Sequence, residues 1–463
     1  MKKKHLVVLS MLLIFVISFS MEFQRDVRDW GLYVYICGDN NLDSFNQGGG
    51  VYGSFFQGNI DLLQTAKDDI HVVIFYDRWS GEFEYGTANS WWSEPVPRPE
   101  DKRGLVIYYV VENELIDITE YFGFETGQLV DGGSARNMEK FLVGASELFP
   151  ARKVHIDIGS HGAGIDGVNT DYTSGTIMNL GNNEENSFSE VIGKVFGRLT
   201  GRILERNSNI KANVVAFDAC LMGMSEINYE LSRHGVEYVV SSQQVIPGAG
   251  FPYDKMVTGL RGRSPLHHTS KLVSDYVNLY HNSNGGQYGG FNLASIDTNK
   301  QNMDNYTNAI GDVFEKLVMG YDKLITSAQQ NTIDEFHNII TTTFKYPDMN
   351  RGNFIDVIAL LNGMKSSNRL NRLVGEDIIN KAIEITKRSI AANEITFRST
   401  AQFKKDTHGQ SIYFKPYRRG DNYSNFEPHS YRNRLKGYSL SETKMYEYLA
   451  QWHEIYFLEM EKR

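Results

Sequence analysis

Two short stretches hold the residue types that could do chemistry. Gly159-Ser160-His161-Gly162-Ala163-Gly164 offers an imidazole, and Phe217-Asp218-Ala219-Cys220-Leu221-Met222-Gly223 offers a thiol. A thiol and an imidazole brought together form a nucleophile and its acid–base partner. Glycines around His161 let a substrate backbone approach closely. The backbone N–H groups of Gly162 and Cys220 could then hold the oxyanion of a tetrahedral intermediate. Cys220 reads as the end of a strand just before a helix, where backbone N–H groups favour the thiolate and a neighbouring imidazolium would lower its pKa further. Taken singly, His161 is a satisfied turn histidine and Cys220 a core cysteine. Taken jointly, at facing strand ends, they read as a dyad.

The elements that must position them are visible in the apolar pattern. Residues 154–158 (VHIDI) lead into the histidine and 214–217 (VVAF) into the cysteine, and short apolar runs closed by small residues read as buried strands. Residues 187–206, between them, carry helical spacing. Strand, helix, strand is a right-handed parallel crossover, and ligands bind at the carboxyl ends of such strands. His161 and Cys220 are therefore expected at the same edge of one sheet.

The chain has 463 residues, 41% hydrophobic and 22% charged, with a net charge of −9. Residues 1–20 are distinct: a basic start (Met1-Lys2-Lys3-Lys4-His5), an apolar run over 6–19, and a small-x-small end at Ser18-Phe19-Ser20. This reads as a secretory signal peptide, too short in its apolar core for a membrane span. Its removal leaves 44 basic and 56 acidic residues. So acidic a chain excludes nucleic acid as an expected partner and would steer cationic substrates toward it. The expected address is secreted, periplasmic or cell-surface, with no stable membrane span after cleavage. Of the two cysteines, Cys37 ends a strand-like run and reads as a small buried hydrophobe. A Cys37–Cys220 disulfide is the alternative, and it would remove the nucleophile.

Further strands are expected over 30–37, 70–76 and 238–241, a hairpin over 105–111 and 115–118, and amphipathic helices over 134–149 and 225–233. Residues 80–103, with Trp91-Trp92, read as a long surface loop. Beyond about 260 the spacing turns helical (264–280, 303–328, 332–344, 354–364, 376–392, 441–459), broken by strand-like pieces at 289–296 and 410–414. The expected division is a signal peptide over 1–20, a catalytic domain over 21–260, and a mainly helical region over 261–463 packed on it. No zinc spacing, P-loop or dinucleotide fingerprint occurs. Asp39-Asn40-Asn41-Leu42-Asp43 has a faint calcium-loop look but lacks the glycine and glutamate of an EF-hand loop, and reads as a turn. Asp166 and Asp171 read as solvated.

The two chemical stretches, HGxG at His161 and FDACLM ending at Met222, resemble the clostripain family of cysteine peptidases, kin of caspases, legumains and gingipains. Trp30-Gly31-Leu32-Tyr33-Val34-Tyr35 with Gly38-Asp39-Asn40-Asn41-Leu42, residues 72–78, Glu226, residues 242–253 and Gly409-Gln410-Ser411-Ile412-Tyr413-Phe414 extend the likeness over about residues 30–415. The resemblance implies an α/β fold, a caspase-like αβα sandwich with a mostly parallel central sheet. It implies an endopeptidase with a His161–Cys220 dyad and a thioester intermediate, no cofactor beyond an assisting calcium, and protein or peptide substrates. It also implies cleavage after Arg or Lys, with Asp218 binding the P1 side chain. The chain departs from the family at Ser160 and Ala249, where an acid is usual, and at Ile165, where an aromatic is. Relatives are often cut between histidine and cysteine. Here residues 165–193 contain no Lys or Arg, and the segment is expected to be exposed and mobile. The rival reading is a catalytically idle caspase-like module that binds peptides or surface partners.

Overall fold

The computed structural model describes residues 27–43, 55–67, 69–80, 102–181, 186–195, 212–285, 289–342 and 353–462. The signal peptide, Trp91-Trp92 and much of the 80–103 loop lie outside the described residues. Thirteen strands are described: β1 (Arg28–Cys37), β2 (Ile70–Arg78), β3 (Gly104–Val111), β4 (Glu114–Asp117), β5 (Ala151–Gly159), β6 (Val168–Asp171), β7 (Thr176–Met178), β8 (Ala212–Asp218), β9 (Tyr238–Ser241), β10 (Asn292–Asp297), β11 (Phe354–Asp356), β12 (Ile390–Ile395) and β13 (Ser411–Tyr413). Nine of them form one sheet in the order β12-β10-β9-β8-β5-β1-β2-β3-β4. The five central strands, β9 to β2, run parallel, and antiparallel pairs extend both edges.

The sheet is buried on both faces, which is why its central strands read as continuous apolar runs. Alternation along β1 assigns the layers. Tyr33, Tyr35 and Cys37 face Met138 and Phe141 of the helix Ala135–Leu148. Leu32, Val34 and Ile36 face Phe56 and Ile60 of the helix Phe55–Leu63, with Met256 and Val273 of the helices Tyr253–Leu260 and Pro265–Leu279 in the same layer. The result is the expected αβα sandwich.

Residues on both sides of position 260 share the sheet, because β10 and β12 complete it. β12 falls partly inside a predicted helix. The helix there stops at Ser389, and Ile390–Ile395 pairs with β10 as an edge strand. The expected strand at 410–414 joins β11 in a separate pair. β13 also meets the turn beyond the cysteine: Ser411 N donates to Gly223 O at 2.9 Å. Glu226, fully buried at the start of the helix Ser225–Arg233, accepts the Tyr413 N–H at 2.7 Å. Glu226→Ala strands that buried amide, so unfolding free energy in denaturant titration should fall by about 1–3 kcal/mol.

The described part of the segment after His161 is not the exposed loop expected. Residues 164–166 form a 3-10 turn, and β6 and β7 make a hairpin with Val168, Asn169, Asp171 and Met178 buried. Ile165, Val168, Met178 and Leu180 pack it into the core layer that holds Met138 and Phe141. Of the predicted crossover helix, residues 188–195 are helical and 196–211 lie outside the described residues.

Candidate active site

Register brings the two chemical residues together. Gly159 of β5 pairs with Asp218 of β8, so His161 and Cys220, each two residues further on, leave the sheet side by side. Gly162 packs on the Cys220 backbone; a Cβ there would collide with the Cys220 carbonyl and stand 3.0 Å from its nitrogen. Only glycine permits that approach. His161, Cys220 and Asp218 line one cavity of about 350 Å³, with Asn59, Ile246 and Phe291 among its other walls.

Cys220 is aimed by a strained turn. Leu221, a non-glycine residue, sits at φ 65°, a conformation costing about 1–3 kcal/mol. The turn is held by Leu221 N to Gln244 O at 3.0 Å and Gly223 N to Ser242 O at 2.8 Å. The Ile246 N–H points at Sγ from 3.4 Å. The expected help from a helix N-terminus is absent, because the next helix begins only at Ser225. Burial instead pushes the thiol up to about 11, with the Ile246 N–H opposing and Asp218 adding to the rise. Burial likewise lowers His161 to about 4. Both shifts favour a neutral thiol and a neutral imidazole over the thiolate–imidazolium pair. Cys37 and Cys220 are both free, so the disulfide alternative is excluded.

Asn41, which sequence reasoning left in a turn, holds the imidazole. Its Oδ1 lies 2.5 Å from His161 Nε2 and also accepts from Tyr172 Oη at 3.0 Å, while the Tyr172 ring lies parallel to the imidazole at 6.0 Å. An amide oxygen can only accept, so Nε2 carries the proton and Nδ1 is the basic nitrogen. Asn40 ties the turn down by donating to Cys37 O at 2.8 Å and Thr170 O at 3.0 Å. The side chains of this loop do not converge on a cation. Asp39 accepts from Ser80, and the two Asp43 oxygens accept from Tyr76 and Trp79. The loop therefore does not fit a calcium ion.

Asp218 stands in the cavity wall, 7% exposed. Its Oδ2 accepts from Phe251 N at 3.1 Å and Tyr253 Oη at 2.9 Å, and its Oδ1 has no partner. Burial raises it to about 6. Tyr253 Oη also reaches Asp157 Oδ2 at 2.7 Å. Neither Tyr253 nor Asp157 was singled out from sequence, although an aspartate inside the apolar run VHIDI is a signal. Ala249, where the family carries an acid, is exposed. Ser160, the other departure, is buried and donates to Cys37 O at 2.9 Å. Asp171 is fully buried, not solvated, and accepts from Gly132 and Ser174 amides; Asp166 pairs with Arg434. An Asp171 oxygen, an Asp77 oxygen and Cys37 Sγ lie within 4.8 Å of one another, closed in by Gly132.

Comparison with known proteins places this arrangement. The chain aligns with clostripain of Hathewaya histolytica at 24% identity over 195 residues, 41% of this chain and about one third (33%) of that protein. A secreted cysteine protease of Bacteroides thetaiotaomicron, solved with an irreversible peptide inhibitor, superposes with a TM-score of 0.55 at 17% identity, covering 90% of this chain and 99% of that one. A protease of Parabacteroides distasonis, described as an inactive zymogen, gives 0.56 at 12% identity over 93% and 99% of the two chains. At such identities the superpositions speak for the caspase-like fold. The sequence itself is matched by the clostripain family model over residues 34–452, nearly the whole described chain, and the protein belongs to that family of cysteine peptidases.

Proposed function

We infer that the protein is an exported cysteine endopeptidase that cleaves after Arg or Lys. The observation that carries this reading is the convergence of His161, Cys220 and a buried carboxylate, Asp218, on one cavity. Cys220 Sγ attacks the scissile carbonyl carbon as its proton passes to His161 Nδ1. The N–H groups of Gly162 and Cys220 receive the oxyanion. His161 gives its proton to the departing amine, leaving a thioester on Cys220, and then deprotonates the water that hydrolyses it. Asp218 meets the cationic P1 side chain. The chemistry draws on the thiol and imidazole alone, and no step runs through calcium. Export rests on residues 1–20 and on the secreted relative; among the described residues no helix is long and apolar enough to cross a membrane.

The test is hydrolysis of fluorogenic peptides by the chain lacking residues 1–20. Turnover restricted to Arg or Lys at P1 is expected. A folded protein that binds such peptides without turning them over would overturn the reading in favour of the idle module.

The expected active form is one uncut chain. Residues 165–193 lack Lys and Arg, and the described part of that segment is a packed hairpin. Lys194, the first basic residue, sits in helical backbone and pairs with Glu190 at 3.0 Å, a poor protease site. Active protein should run as a single band. Two fragments joined between His161 and Cys220, absent from Cys220→Ala preparations, would show otherwise.

A further inference from the structure

The Tyr253 hydroxyl stands between two carboxyl groups, 2.7 Å from Asp157 Oδ2 and 2.9 Å from Asp218 Oδ2. It has one proton to give. If both carboxyls were ionised, one of these short contacts would set an anionic oxygen against the phenol lone pairs, so one carboxyl must supply a proton of its own. Asp157 is fully buried in the middle of β5, its Oδ1 is unpartnered, and among the described residues Tyr253 is its sole hydrogen-bond partner. Asp218 has a second donor, the Phe251 amide at 3.1 Å on the same Oδ2. A charge settles where donors converge, so the proton belongs to Asp157 and the charge to Asp218.

We propose that Tyr253 and Asp157 are positioning residues for P1 specificity: Asp157, as the neutral acid, donates to Tyr253, and Tyr253 donates to Asp218, clamping that carboxylate through Oδ2 and leaving Oδ1 to meet a guanidinium or ammonium. The proposal rests on the reading of Asp218 as the P1 contact. It accounts for three observations together. The two Asp218 oxygens are unequal, one doubly donated to and one buried without a partner. Gly250 lies so close to Asp218 Oδ2 that no Cβ would fit, and its carbonyl is pinned by Tyr280 Oη at 2.7 Å, so the carboxyl plane is fixed on that side too. Ala249 is exposed and offers no second acid, so among the described lining residues a basic side chain meets a single carboxylate, which must be held in one orientation.

The experiment compares kcat/KM for peptides with Arg at P1 against the rate at which iodoacetamide, a small uncharged reagent, alkylates Cys220. The second readout reports the thiol and imidazole and ignores the P1 pocket. Tyr253→Phe removes one charge-assisted donor and should lower kcat/KM about tenfold, chiefly through KM, with the alkylation rate unchanged. Asp157→Leu should lower it in the same direction, and Asp157→Asn, whose amide can still donate to Tyr253, should restore it. In the Tyr253→Phe background Asp157→Leu should add nothing further. Tyr253→Phe at wild-type kcat/KM, or Asp157→Asn as damaging as Asp157→Leu, overturns the proposal; the latter would make Asp157 a charge rather than a donor. If Asp157→Leu fails to fold, Tyr253→Phe decides alone. Wild-type protein without a basic P1 preference overturns the P1 reading itself, a result visible before any substitution is made.

Discussion

Cys220→Ala should abolish peptide hydrolysis, and His161→Ala should lower kcat/KM by about 10²–10⁴-fold, the usual worth of a positioned acid–base group. The cysteine effect is total because no other thiol can substitute. Cys37 is fully buried, and Cys37→Ala should cost about 1 kcal/mol of packing and leave turnover in place. The histidine effect follows from the resting state. Burial holds the Cys220 thiol near 11 and the His161 imidazole near 4, so the thiolate is made during attack, by proton transfer to Nδ1. A preformed thiolate–imidazolium pair would react with iodoacetamide at a rate nearly flat with pH. The neutral pair predicts a rate that climbs as pH rises toward the thiol's own pKa. A flat, fast profile would refute the neutral resting pair. Peptide turnover by Cys220→Ala would refute the assignment of the nucleophile.

The meeting of His161 and Cys220 at one sheet edge and the central sheet itself were legible in sequence because both depend on short-range patterns. Apolar runs buried on two faces announce parallel strands, and glycine-rich ends announce their edge. The β3–β4 hairpin was equally visible: two apolar runs flank the polar pair Glu112-Asn113, which adopts positive φ in the turn. What escaped depends on contacts between distant segments. Asn41 touches His161 across 120 residues, and Tyr253 touches Asp157 across 96. No local spacing encodes either pairing. The electrostatics escaped for a related reason. The sequence placed a helix soon after Cys220, but the strained turn at Leu221 intervenes, and a dipole effect confined to a helix's first turn does not reach the sulfur. β12 was missed because helical spacing continued through Ala392, while the open edge of β10 drew Ile390–Ile395 into the sheet.

Asp218→Asn should lower kcat/KM for Arg and Lys substrates by about 10–100-fold, the worth of one charge-assisted contact of about 1.5–3 kcal/mol. The substitution keeps the shape, and the asparagine oxygen can still accept from Phe251 N and Tyr253 Oη. What it loses is charge. In the wild type, burial raises Asp218 to about 6, so kcat/KM for basic substrates should fall as pH drops through that value, and Asp218→Asn should lack this acid limb. Stability should move the opposite way. A carboxyl whose folded pKa lies above its unfolded value contributes stability that is complete in acid and is lost as pH rises through the folded pKa. Wild-type protein therefore carries a buried anion at about pH 8 that Asp218→Asn does not, and the variant's Tm should exceed the wild type's there but not at about pH 4.5. A loss of activity joined to a gain in stability at alkaline pH, from one atom's exchange, would mark a charge that the fold tolerates for substrate binding. A variant equally active on basic substrates, or less stable at every pH, would make Asp218 a structural acceptor for the Phe251–Tyr253 segment and nothing more.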